Sequence, residues 1–107
     1  MWILSTQQMM IEILYFDGCP NLEPTIALTR EVLRELGIGV ELREVAVETA
    51  DDAEALRFVG SPSIRVNGLD IEPAARVDTD FALSCRTYGN SGVPPKELLI
   101  KALRKAL

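Results

Sequence analysis

The chain has 107 residues, 48% of them hydrophobic, and a formal net charge of -5. This length supports one domain with its own core, and the negative balance argues against non-specific nucleic-acid binding and against docking on anionic membranes. Because the chain has no histidine, His-ligated zinc sites and histidine-based catalytic dyads are excluded.

Residues 1–9 are predicted to form a flexible extension ahead of a single domain that spans residues 10–107. The extension has neither the basic start nor the cleavage site of a signal peptide. No run in the sequence approaches the roughly 20 apolar residues of a membrane span. We therefore expect a cytoplasmic protein.

Residues 10–16 are nearly all apolar and β-prone, which predicts a central strand buried on both faces. The next apolar side chains recur at helical spacing, and this pattern predicts a helix that ends near Gly37. The stripe consists of Leu22, Ile26, Thr29, Leu33 and Leu36. Residues 40–44 alternate as a half-exposed strand does, and a phase slip at 45–47 indicates a bulge or the end of the strand.

A second helix is predicted to begin at Thr49, whose hydroxyl can cap the first turn, and to end at Gly60. Its buried stripe consists of Ala53, Leu56 and Val59. Residues 63–66 predict a short strand, and the Asn-Gly dipeptide at 67–68 is a strong hairpin signal. The return strand is predicted over residues 69–71.

The segment from 74 to 95 has the weakest pattern, with one further strand as an option at 81–88. A final helix is predicted over residues 96–107. The element order β-α-β-α-β-β-α indicates an α/β fold with a central four-stranded mixed sheet flanked by helices.

Cys19 is the first candidate reactive group, because it follows the first strand and precedes the first helix. The carboxyl edge of a sheet and the free amides of a helix start both favour an anion. Since the thiolate is the nucleophilic form of cysteine, this position can make the thiol reactive. Asp17 and Glu23 oppose the negative charge, so we expect a moderate stabilisation of the thiolate.

The second candidate element is the Ser61–Pro62 pair, which directly precedes the predicted hairpin. A proline at this place favours a cis peptide bond. The bond is expected to lie opposite the start of the first helix. There, the backbone of Ser61 is expected to be free to pair with an extended substrate strand.

At these two places the chain resembles the thioredoxin and glutaredoxin superfamily. The Cys-Pro-Asn-Leu sequence at 19–22 is similar to the glutaredoxin Cys-Pro-x-Cys motif, with Leu22 in place of the second cysteine. Residues 61–68 are similar to the family's cis-proline strand and Asn-Gly hairpin. The resemblance covers residues 10–71 and the last helix, and it implies a thioredoxin-like fold. The substrate site it implies contains Cys19, Pro20, Asn21, Ser61 and Pro62.

With one motif cysteine, the resemblance implies a monothiol oxidoreductase in which the Cys19 thiolate attacks a disulfide and an external thiol releases the product. The implied partner is a protein or small-molecule disulfide or thiol, with glutathione as an optional co-substrate and no further cofactor. The lysine that such proteins use for glutathione is not evident here. More faintly, the chain resembles small thioredoxin-like proteins labelled as relatives of alkylmercury lyase.

Cys85 is the second of the two cysteines, and it lies in the segment whose fold the sequence leaves open. If that segment folds back over the first helix, Cys85 could resolve a mixed disulfide on Cys19, and Arg86 could stabilise a thiolate. The alternative for Cys85 is a buried core thiol.

Two other functions stay open at this point. Two thiolates suit a soft metal such as Hg or Cu, so Cys19 and Cys85 could together serve a metal carrier. The other alternative is a non-catalytic protein-binding module, in which Cys19 is residual.

Overall fold

A computed structural model describes residues 9–89 and 91–107 of the chain. Its elements are β1 (Ile11–Tyr15), α1 (Leu22–Glu35), β2 (Leu42–Ala46), α2 (Ala50–Ala55), β3 (Ser63–Val66), β4 (Leu69–Asp70), a 3-10 helix (Pro73–Val77) and α3 (Lys96–Ala106). The sheet has the order β2-β1-β3-β4, with β1 parallel to β2 and antiparallel to β3. The predicted α/β class and mixed four-stranded sheet are confirmed.

Both faces of the sheet are covered by helices, and β1 contributes to the core on each face because its successive residues point to opposite sides. Ile11 and Ile13 join the larger core, which side chains of α1 and α3 complete. Leu14 joins the smaller core, where Phe58 and Ala53 of the α2 region are fully buried. The prediction that the first strand is buried on both faces is therefore confirmed.

The N-terminal prediction falls mostly outside the described residues, which begin at Met9. The Met9 side chain packs partly buried against the larger core, so this residue belongs to the domain rather than to an extension. None of the helices in residues 9–89 and 91–107 has the length and apolar character needed to cross a membrane.

Helix α2 ends earlier than predicted. Arg57 adopts a left-handed φ of 54°, and the Phe58 N–H donates to the Ala53 C=O at 2.8 Å. This is a Schellman cap with arginine at the position where glycine is usual. The prediction that the helix runs to Gly60 is therefore wrong. Because the helix ends early, Phe58 is the buried residue after it, whereas helical spacing had predicted Val59.

The remaining local signals predict the structure well. Strand β2 keeps an unbroken parallel register with β1 and stops at Ala46, so the phase slip at 45–47 marks a strand end and not a bulge. Thr49 caps α2, since its Oγ1 accepts a hydrogen bond from the Asp52 N–H at 3.0 Å. The hairpin turn at 67–68 has positive φ at both residues, as a type I′ turn requires.

Candidate functional site

Cys19 lies in the turn between the carboxyl end of β1 and the start of α1. Its N–H donates to the Phe16 C=O at 3.3 Å, and Gly18 before it has a φ of 84°. The thiol is free and half-buried, while Pro20 after it is exposed. The position that the sequence predicted for Cys19, between strand and helix, is the one observed.

The start of α1 offers an anion fewer amide donors than the sequence predicted. The Leu22 N–H donates to the Cys19 C=O at 3.3 Å, and the Thr25 N–H is bonded to the backbone of the preceding turn. Pro24 has no N–H. Among the described residues, this leaves the N–H groups of Asn21, the N-cap residue, and Glu23 without a backbone acceptor. These two amides are what the start of α1 offers to a thiolate.

Ser61 lies beside this turn, and both of its backbone groups are paired within the chain. Its N–H donates to the Ser84 C=O at 2.8 Å, and its C=O accepts from the Arg86 N–H at 2.9 Å. Its Oγ accepts weakly from the Phe16 N–H at 3.4 Å. The prediction that the Ser61 backbone is free is wrong, because residues 84–86 lie where a substrate strand was expected.

The segment that covers Ser61, residues 81–89, is called the strap below. It also covers Pro62, whose C=O accepts a hydrogen bond from the Tyr88 hydroxyl at 2.6 Å. The Ser61–Pro62 peptide bond is cis, and both residues are buried. In this structure, the two residues flank the Cys19 turn but offer a ligand almost no surface.

Cys85 is exposed, so the alternative of a buried core thiol is wrong. It lies opposite Ser61 in one isolated parallel bridge, and the strand offered at 81–88 reduces to this bridge. Phe16, which begins the Cys19 turn, also hydrogen-bonds to Ser61. The segments that carry the two free cysteines therefore meet at one residue.

Arg86 holds the strap through a buried ion-pair network. Its guanidinium donates to both carboxylate oxygens of Asp70 at 2.7 and 2.9 Å and to Glu72 at 2.8 Å. It also donates to the Ser63 Oγ at 2.9 Å and lies 4.4 Å from the centre of the Tyr88 ring. Burial lowers the Arg86 pKa, but hydrogen bonds to the carboxylates outweigh burial and raise that pKa above its usual range.

This network corrects the role expected for Arg86. Its guanidinium is committed to Asp70 and Glu72, and no described hydrogen bond joins it to either cysteine. Arg86 therefore positions the strap rather than stabilising a thiolate. Asp70 was not among the site residues predicted from the sequence, although a carboxylate directly before apolar Ile71 in a predicted strand is a signal that an ion-pair partner lies elsewhere.

Asn21 contacts a second part of the chain. It is the N-cap residue of α1, yet its side chain makes no capping hydrogen bond. Instead it lies against Gly92, where an added Cβ would come within 2.9 Å of the Asn21 Cγ. Gly92 also has a φ of 75°, so both space and backbone conformation favour glycine there.

A groove of about 550 Å³ lies beside the Cys19 turn, at the carboxyl ends of β1 and β2. Apolar and aromatic side chains line it, with Asp17 and Glu48 as its acidic members and Leu83 contributed by the strap. Within residues 9–89 and 91–107, no group of three or more Cys, Asp and Glu side chains is arranged to hold a metal ion.

The Arg86–Asp70 pair generates a stability prediction. Arg86→Gln leaves the Asp70 carboxylate buried without its counter-charge, so the free energy of unfolding should fall by about 3–5 kcal/mol in urea denaturation. Arg43→Gln is the matched control, because Arg43 is exposed and lies 4.0 Å from Glu12. It should cost less than about 1 kcal/mol. Equal losses in the two variants would contradict the anchoring role.

Tyr88 generates a prediction for alkaline pH. Burial raises the pKa of its phenol well above the ordinary value, and Arg86 offsets this in part. The folded chain therefore keeps the phenol proton to higher pH than the unfolded chain does. The resulting stabilisation is complete below about pH 10 and is lost as the pH rises further. Between about pH 8 and pH 11, the free energy of urea unfolding should fall more steeply with pH for the wild type than for Tyr88→Phe. Parallel pH dependences of the two proteins would contradict a raised Tyr88 pKa.

No protein-family model, no curated protein and no solved structure matches this chain. The function is therefore inferred from the geometry around Cys19 and Ser61 and from the chemistry that two neighbouring thiol segments can perform. That geometry comprises a half-buried thiol in a strand–helix turn and an exposed thiol on the strap.

Proposed function

We propose that the protein is a thiol–disulfide exchange protein with a thioredoxin-like fold, in which Cys19 is the nucleophile and Cys85 the second thiol. One observation carries the proposal: the turn bearing Cys19 and the strap bearing Cys85 both hydrogen-bond to Ser61. Both cysteines are free thiols. An exchange that ends in an internal disulfide requires two thiols, and these adjoining segments carry them.

The element order supports the fold part of the proposal. A parallel β1–α1–β2 unit is followed by an antiparallel hairpin and a closing helix, and helices cover both faces of the sheet. Cys19 follows the central strand β1, and Pro62 lies directly before β3. These positions are compatible with the thioredoxin-like architecture that the Cys-Pro-Asn-Leu sequence implies.

The exchange would proceed in two steps. First, the Cys19 thiolate attacks one sulfur of a substrate disulfide, so a mixed disulfide forms and the other substrate sulfur leaves as a thiolate. Second, the Cys85 thiolate attacks the Cys19 sulfur and releases the remaining substrate thiolate. The substrate gains two electrons and takes up two protons, while the protein forms a Cys19–Cys85 disulfide. Two molecules of an external thiol such as glutathione then reduce that disulfide in two successive exchanges and leave as their own disulfide.

The groove beside the turn supplies a surface for the substrate. Its aromatic members, Tyr15 and Phe16, offer apolar contact area at the residues that lead into the Cys19 turn. Asp17 and Glu48 add negative charge at the same place. This combination favours disulfides whose neighbouring groups are apolar or basic.

Alkylation rates distinguish a thiol that reacts quickly because it is ionised from one that reacts quickly because it is exposed to the reagent. Cys85 is exposed and Cys19 is half-buried, so access alone predicts that iodoacetamide modifies Cys85 faster. The proposal predicts the reverse near neutral pH, because the thiolate is the reacting form and the unpaired Asn21 and Glu23 amides at the start of α1 favour an anion beside Cys19. Peptide mapping by mass spectrometry gives both rates, with Cys19→Ser and Cys85→Ser as matched controls. Faster modification of Cys85 would contradict the nucleophilic role of Cys19.

Oxidised glutathione tests the second thiol. The reduced wild type should end as an internal Cys19–Cys85 disulfide, two hydrogen atoms lighter than the starting protein. Cys85→Ser should stop at a glutathione adduct on Cys19, because no second thiol can displace it. Intact mass and peptide mapping distinguish these products. A lasting glutathione adduct on Cys19 in the wild type would show that Cys85 does not act as the second thiol. The absence of any modification would favour the non-catalytic binding module.

A further inference from the structure

A second group of charged side chains surrounds a cavity of about 190 Å³, and none of the residues that line it lines the groove at Cys19. Its charged lining residues are Arg57, Arg65, Arg76, Asp70 and Asp78. They come from the end of α2, from the β3–β4 hairpin and from the 3-10 helix and the residue after it. Three of the chain's 11 basic residues thus converge on one cavity, in a protein whose net charge is -5.

Most hydrogen-bond donors of these arginines are unused by the described part of the protein. Arg65 uses its Nη2 for two carbonyls at the end of α2, at 2.7 and 3.0 Å. Arg76 uses its Nε for the Asp70 C=O at 2.7 Å. Arg57 lies 5.0 Å from the centre of the Phe81 ring. Since each guanidinium has five N–H donors, these structural contacts account for a minority of them.

The positive charge in the cavity is also poorly balanced. Among residues 9–89 and 91–107, none of the three arginines forms an ion pair, and Asp70 is already paired with Arg86. The cavity lining therefore holds three guanidinium groups and two carboxylates, Asp70 and Asp78, so that one positive charge is in excess. Burial lowers the pKa of Arg65, and the charges of Arg86 and Arg57 add to this effect against the opposing carboxylates.

We propose that this cavity binds a small phosphate ligand, either free phosphate or a phosphomonoester. The planar guanidinium group matches two phosphate oxygens at once. A phosphomonoester carries nearly two negative charges at neutral pH, and the cavity lining holds more guanidinium groups than carboxylates. The cavity volume suits a phosphate group with a few further atoms. The net charge of -5 opposes a polyanion such as nucleic acid.

This inference is independent of the thiol chemistry. None of the cavity-lining residues is a cysteine or a neighbour of Cys19 in the chain. Cys19→Ser is therefore expected to bind phosphate as the wild type does. If the protein showed no disulfide exchange, the proposed phosphate site would be unaffected. If it bound no phosphate, the proposed exchange function would be unaffected.

The test is a titration of the full chain with sodium phosphate at constant ionic strength, followed by proton–nitrogen correlation spectra. Saturable shifts are expected at Gly68, Ala75 and the arginine Nε–H groups that line the cavity. Arg57→Gln and Arg76→Gln should each weaken the affinity about tenfold, because each removes one charge-assisted contact. Both side chains are exposed. Arg76→Gln also removes the hydrogen bond from the Arg76 Nε to the Asp70 C=O, so Arg57→Gln is the variant that tests the charge alone. The matched control is Arg104→Gln, which removes an exposed charge on α3 and should leave the affinity unchanged.

Three outcomes would overturn the proposal. Equal weakening in Arg104→Gln would mean that phosphate responds to overall charge and not to this cavity. Acetate binding at the same residues with the same affinity would mean a carboxylate site. Tighter binding of a short single-stranded oligonucleotide than of inorganic phosphate would assign the arginines to a nucleic-acid surface.

Discussion

Arg86 and Asp70 form a buried, bidentate ion pair that joins the strap to the end of β4. The strap has no regular secondary structure, so its position depends on this pair, on the backbone of Ser61 and on the Tyr88 hydroxyl. Neither partner could stay buried alone, because an uncompensated charge in the interior is strongly unfavourable. The location of Cys85 beside the Cys19 turn thus depends on an ionic contact made at the far edge of the sheet.

Local signals predicted most of the fold. The apolar run of β1, the glycine that ends α1 and the Asn-Gly turn at 67–68 each specify their structure through residues close in sequence. The position of Cys19 followed from two such signals, a strand before it and a helix after it. The end of helix α2 was the exception. Arg57 adopts the left-handed conformation that usually requires glycine, so neither its residue type nor the helical spacing predicts that the helix ends there.

The strap could not be predicted for a different reason. Its contacts join residues that are 14 to 26 positions apart, such as Arg86 with Glu72 and Tyr88 with Pro62. The sequence of the strap has neither helical nor strand periodicity, so it does not predict such pairings. The occupied backbone of Ser61, the environment of Arg86 and the exposure of Cys85 all depend on these contacts. The features of the site that the sequence did not predict are therefore those that depend on contacts between residues far apart in the chain.

The pairing between the strap and Ser61 has a consequence for ligand access. A covalently attached segment acts as a competitor at an effective concentration on the order of millimolar. An extended peptide that pairs with Ser61 has to displace two backbone hydrogen bonds that the chain already makes with itself. Its apparent affinity equals its intrinsic affinity multiplied by the fraction of molecules in which the strap is detached. For any such peptide, the strength of the Arg86 anchor thus determines how much binding free energy would be lost in detaching the strap.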